Sequence, residues 1–118
     1  MRRVQLVATA IPGASVTPMM VNPDGTLSAF SIVASEPFVL TDISIQRESV
    51  VVGPGLFGFS IDQTVGTGIQ TRWAFVGSIS ENVERNFRTG IVFSTPFTFT
   101  NLASSVDNAI VFVSGFTE

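Results

Sequence analysis

The chain has 118 residues, a formal net charge of −3 and neither Cys nor His; Lys and Tyr are also missing, and all six basic residues are Arg. These absences exclude disulfides, thiolate or imidazole catalysis, the usual zinc ligand sets, Schiff-base chemistry and a phosphate-loop lysine. A net acidic chain with scattered Arg also lacks the basic face that nucleic-acid binding needs.

In chain order, strands are predicted near Arg3–Ala10, Val16–Val21, Leu27–Ala34, Phe38–Arg47, Leu56–Asp62, Ile69–Ser80, Phe87–Ser94, Phe97–Thr100 and Ala109–Phe116. Val, Ile, Thr, Phe and Trp together fill 49 of the 118 positions, and these residue types suit a pleated surface. Asn22-Pro23-Asp24-Gly25 reads as a turn joining the second and third strands. Glu36-Pro37 and Gly53-Pro54-Gly55 are further breaks, while Pro18 and Pro96 inside strand-like runs indicate edges or bulges. Ser80–Phe87 is expected to form one helical turn capped by Ser80, with Val83 and Phe87 inward. No apolar run approaches the ~18 residues of a spanning helix. Met1-Arg2-Arg3 leads straight into a strand pattern, so neither a signal peptide nor a membrane span is expected. The expected fold is therefore all-β: residues 1–118 as one antiparallel β-sandwich or barrel of eight or nine strands.

Alternation sorts the faces. Val39, Thr41, Ile43 and Ile45 share one face of their strand and Asp42, Ser44 and Gln46 the other. Ile69, Trp73, Phe75 and Ile79 oppose Gln70, Arg72, Ser78 and Ser80. Two strands are apolar on both faces. In the last, Ile110, Phe112 and Phe116 are assigned to the core, and Val111 and Val113 to the opposite side. Gly90–Ser94 sets Val92 against Ile91 and Phe93. A strand that is apolar on both faces is covered on both faces. Without helices, the second cover is another subunit.

Gly53-Pro54-Gly55-Leu56-Phe57-Gly58 matches G-x-G-x-x-G, but an alternating strand follows it instead of a helix, so no dinucleotide site is assigned. Six carboxylates (Glu36, Asp42, Glu48, Asp62, Glu81 and Glu84) could in principle run glycoside hydrolysis. Their spacing singles out no pair, and Glu84 is placed to meet Arg88 in a solvated loop. Asn22/Asp24 and Asp107/Asn108 offer calcium-type oxygens without a D-x-D-x-D-G series. Trp73 aligns with Phe75 and reads as core. No cofactor, metal or catalytic residue is assigned.

Charged residues are only 13% of the chain, against about 25% in ordinary soluble domains. A small domain needs more polar surface than average, so a shortage of charge implies coverage by other copies. Gly90-Ile91-Val92-Phe93-Ser94, Phe97-Thr98-Phe99-Thr100-Asn101, Ala109–Phe116 and Phe38–Ile45 together resemble the short jelly-roll modules of the tumour-necrosis-factor and C1q-head type found in phage and bacterial surface proteins. That resemblance implies a homotrimer with apolar strands facing the threefold axis, and no catalytic residue. Val92, Val111 and Val113 are then the candidate subunit interface. The expected function is a non-enzymatic structural or assembly protein, such as a virion decoration or tail component. The alternative is a module that binds a carbohydrate or protein partner.

Overall fold

The computed structural model describes residues 2–33, 35–48, 55–79, 83–102 and 107–117. Ten strands follow one another: β1 (Arg2–Ala10), β2 (Ser15–Val16), β3 (Met19–Val21), β4 (Leu27–Ala29), β5 (Phe38–Glu48), β6 (Gly55–Val65), β7 (Gly68–Ile79), β8 (Val83–Phe93), β9 (Phe97–Asn101) and β10 (Asn108–Thr117). They form a six-stranded sheet, β4-β3-β1-β10-β5-β8, packed on a four-stranded sheet, β2-β9-β6-β7. The chain is an all-β, antiparallel sandwich. With the β3–β4 hairpin set aside, the pairs are nested: β1 with β10, β2 with β9, β5 with β8, and β6 with β7. This is the connectivity of a jelly roll, in which one long folded-back ribbon wraps into two sheets.

The count exceeds the expected eight or nine because the Val16–Val21 run divides at Thr17-Pro18. β2 lies in one sheet and β3 in the other. Proline lacks an N–H for the ladder, so it marks a place where the chain leaves one sheet for the next. Pro96, between β8 and β9, does the same. The Leu27 strand ends at Ala29 instead of Ala34. The helical turn expected over Ser80–Phe87 is not formed in its described part, because Val83–Phe87 belongs to β8; Ser80 and Glu81 lie outside the described residues.

The core lies between the sheets. Val4, Leu6 and Ala8 on β1, Ile43 and Ile45 on β5, Phe57, Phe59 and Ile61 on β6, and Phe97 and Phe99 on β9 all face inward and are buried. Eight rings (Phe30, Phe38, Phe97, Phe93, Phe99, Phe59, Trp73 and Phe87) form a connected chain with centroid spacings of 4.4–6.4 Å. Such pairs add to area burial through their edge and face quadrupoles. Trp73 packs on the core cluster, as the sequence pattern implied.

Bulges correct two of the expected faces. Thr41 is an extra residue between Leu40 and Asp42. Phe38 and Leu40 therefore join Ile43 and Ile45 inside, while Val39 moves to the outer side with Asp42. On β7, Arg72 is the extra residue opposite Ile61 and Asp62, and Ile69 is turned outward at 78% exposure. One inserted residue changes the parity of everything beyond it, because the side-chain period of a strand is two. The freed Arg72 guanidinium donates to Gln63 Oε1 at 2.7 Å and to the Val92 carbonyl at 2.9 Å. It thereby ties the edges of the two sheets together. The β6–β7 hairpin closes at Gly66-Thr67, with Gly66 at φ 60° as the first loop residue, where a type II′ turn needs glycine.

Candidate interaction face

The last strand settles which face of the six-stranded sheet is buried. Leu6 pairs with Val113 and Ala8 with Val111 on one side of β10; Ile43 pairs with Val113 and Ile45 with Val111 on the other. Those partners are unambiguously core residues, and directly paired residues share a face. Val111 and Val113 are accordingly 0% and 2% exposed. This corrects the expected interface assignment: they belong to the core of their own chain. Phe112, expected inside, is 43% exposed, and Ile110 and Phe116 are half-buried on its side of the sheet. Val92 is 47% exposed and does lie outside, paired with Val39.

The strand register maps this outer face. One row crosses the sheet as Ala29, Met19, Val7, Phe112, Ser44 and Glu84. A second runs Arg3, Phe116, Val39 and Val92. Between them Gln5, Ser114, Asp42 and Asn86 form a polar row. Apolar side chains thus lie in two bands, separated by hydrogen-bonding groups. Gly90, at φ 75°, allows the last part of β8 to bend over Val39.

The polar row is organised around Asp42. Asn86 Nδ2 donates to its carboxylate at 2.6 Å, and Thr41 Oγ1 donates at 2.9 Å. The Asn86 bond and then the Thr41 bond hold the Asp42 carboxyl below the ordinary aspartate range, desolvation opposes them, and Arg3 adds to the lowering. Asp42, Glu84, Arg85 and Asn86 line a shallow depression of about 460 Å³ beside Phe112.

The outer face of the other sheet differs. There Asp62 accepts hydrogen bonds from Thr71 at 2.7 Å, Thr100 at 2.8 Å and Ser60 at 3.0 Å, and Ser15 bonds Thr100 in turn at 2.8 Å. Hydroxyls and a carboxylate satisfy one another across four strands. Its exposed apolar residues Ile69 and Val76 sit apart on β7, at the sheet edge.

Several of the remaining charged and motif residues have structural roles. Arg47 and Asp107 form an ion pair with both side chains buried. Asn101 beside it donates to the carbonyls of Ala10 at 3.0 Å and Asp107 at 2.9 Å. Asp107 therefore serves the interior and is no loop calcium ligand. Asp24 accepts from the Thr26 N–H and hydroxyl, and the Gly25 N–H donates to the Asn22 carbonyl at 2.9 Å, which makes residues 22–25 the expected turn. The same Thr26 bonds lower the Asp24 pKa. Gly53 and Pro54 of the glycine motif lie outside the described residues; Gly55–Gly58 lies in β6, with Leu102 packed against Gly58. Glu84 lies four residues from Arg88 on a strand, not on a helix, so the expected i,i+4 meeting has no geometry to support it. Among the described residues no group of three or more acidic side chains gathers to hold a metal ion, and no helix is long and apolar enough to cross a membrane.

Sequence patterning missed Phe112 as a surface residue. The usable signal was residue size: the inward positions of β10 include Ala109 and Gly115, and the outward ones include Phe112 and Phe116. No protein-family model matches this chain, and no curated protein matches it.

Proposed function

We propose that this protein is a non-enzymatic building block that self-associates through the outer face of its six-stranded sheet, as a homotrimer of the kind used for virion decoration or tail assembly. The observation that carries this reading is the contrast between the two outer faces. One is dressed with hydroxyls around Asp62; on the other Phe112, Met19 and Val92 are exposed and Val7 and Phe116 half-buried, with no layer above them among the described residues. Exposed apolar patches mark interaction sites in soluble proteins, and this face carries two such bands, one on each side of the polar row. The low charge content has the same explanation.

Three copies are proposed because the nested strand pairing agrees with the resemblance to tumour-necrosis-factor and C1q-head modules, whose apolar strands face a threefold axis. A non-catalytic role is supported by a side-chain inventory without Cys, His or Lys. The test is absolute mass in solution for the wild-type chain and for Phe112→Asp. A trimer that falls to monomer in the variant, with an unchanged β-type circular dichroism spectrum, supports the proposal. A wild-type monomer sinks it.

A second reading, a binding module for a carbohydrate or protein partner, is favoured by a cleft at the margin of the same face, between β1 and the β3–β4 hairpin.

A further inference from the structure

β1 and β3 are paired only at Leu6–Met20 and Val7–Met19. From Gln5 back to Arg2 the two strands part, and a cleft of about 660 Å³ opens between them. Arg2, Arg3 and Gln5 line it from β1, Val21 and Pro23 from the hairpin, and Ser114 from β10. The hairpin wall is held in place by its own bonds: the Asn22 amide donates to Thr26 Oγ1 at 3.1 Å, and its oxygen accepts from Ser28 at 3.2 Å.

Charge in the cleft is unbalanced. Among the described residues neither Arg2 nor Arg3 forms an ion pair or side-chain hydrogen bond. Asp42 feels Arg3 electrostatically but spends its oxygens on Asn86 and Thr41. Two of the six positive charges of a net-acidic chain therefore line one cleft, without an ion-pair partner among the described residues; Arg3 lies on the outer side of β1 with Gln5, and Arg2 on the opposite side. Guanidinium groups match a carboxylate in shape, and the Gln5 amide and Ser114 hydroxyl suit sugar hydroxyls. Val21 and Pro23 supply an apolar wall. The volume is that of a small-molecule site, and the Leu6–Val7 ladder closes one end, so a chain terminus fits better than a polymer running through.

We propose that this cleft binds the terminal acidic residue of a saccharide, with the carboxylate on Arg3. The inference rests on the second, binding-module reading, and the cleft shares Arg3, Gln5 and Ser114 with the face proposed for self-association.

The test is an amide-resolved NMR titration of the full chain with N-acetylneuraminic acid and with glucuronic acid. Glucose, sodium acetate and a glutamate-rich peptide are run beside them. The expected result is saturable shifts at the Arg3, Gln5, Val21 and Ser114 amides with either acidic sugar, none with glucose and weaker ones with acetate. Arg3→Gln is expected to weaken binding by about tenfold or more, as loss of a charge-assisted bond does. Arg2→Gln provides a second exposed variant, and retained shift dispersion shows that both are folded. No saturable shift at these amides, equal affinity for acetate, tighter binding of the peptide or an unaffected Arg3→Gln would each overturn the assignment. Mass is measured on the same samples. Binding retained by a monomeric Phe112→Asp separates this proposal from the assembly proposal, and an assembled chain that ignores both sugars separates them in the other direction.

Discussion

Val111 and Phe112 are consecutive on β10 and lie on opposite sides of the six-stranded sheet, the first 0% and the second 43% exposed. The same substitution at the two positions therefore has different consequences. Val111→Asp places an unpaired carboxylate among Ala8, Ile45 and the core rings, at a cost of several kcal/mol. Loss of the folded state is expected, seen as a collapsed thermal transition in circular dichroism. Phe112→Asp leaves the core intact, so its transition is expected within about 1 kcal/mol of wild type once self-association is allowed for.

The Arg47–Asp107 pair is buried on both sides. Asp107→Ala removes the carboxylate that faces a buried guanidinium, and a loss of about 3–5 kcal/mol is expected in urea denaturation. The double variant Arg47→Met/Asp107→Leu removes both charges and is expected to recover a large part of that loss. A double variant as unstable as the single one would show that the pair is needed for more than charge balance.

Gly115 sits under β5, where a Cβ would run into the Val39 carbonyl oxygen and come within 2.6 Å of Phe38 Cζ. Backbone cannot step aside as the end of a flexible side chain can. Gly115→Ala is expected to destabilise by about 1–3 kcal/mol, the usual cost of overpacking, read from the shift in denaturation midpoint. A neutral Gly115→Ala would place β5 and β10 farther apart than described.

Asp42 gives a pH dependence of definite sign. Its folded pKa is lowered, first by Asn86, then by Thr41. Its contribution to stability is fully present above the unfolded aspartate value of about 3.9 and is lost as pH falls through the lower folded value. Asp42→Asn is expected to be less stable than wild type at pH 7 and to show a flatter decline below pH ~4. Asp24 acts with the same sign through Thr26, so some acid-side slope remains in the variant. Parallel wild-type and variant curves would remove Asp42 from the account.

Much of the architecture was legible in the chain. β1 could be placed because Val4, Leu6, Ala8 and Ala10 alternate with polar or partly exposed neighbours, and Pro18 and Pro96 fall where the chain changes sheets. Inserted residues were illegible. Thr41 and Arg72 look like ordinary members of alternating runs, and only the partner strands show that each is one residue too many. The phase of β10 was hidden for a different reason. Apolar side chains on both faces give alternation no contrast, and the core face is chosen by β1 and β5, more than 60 residues away in sequence. The polar row around Asp42 and the cleft beside Arg3 are assembled from separate strands and have no local signature.

The most direct test of the central claim is light-scattering mass behind size exclusion for wild type and Phe112→Asp at equal concentration. The account predicts about three times 12.6 kDa for the wild type and 12.6 kDa for the variant. A wild-type chain that elutes as a monomer, or a Phe112→Asp variant that stays assembled, would contradict it.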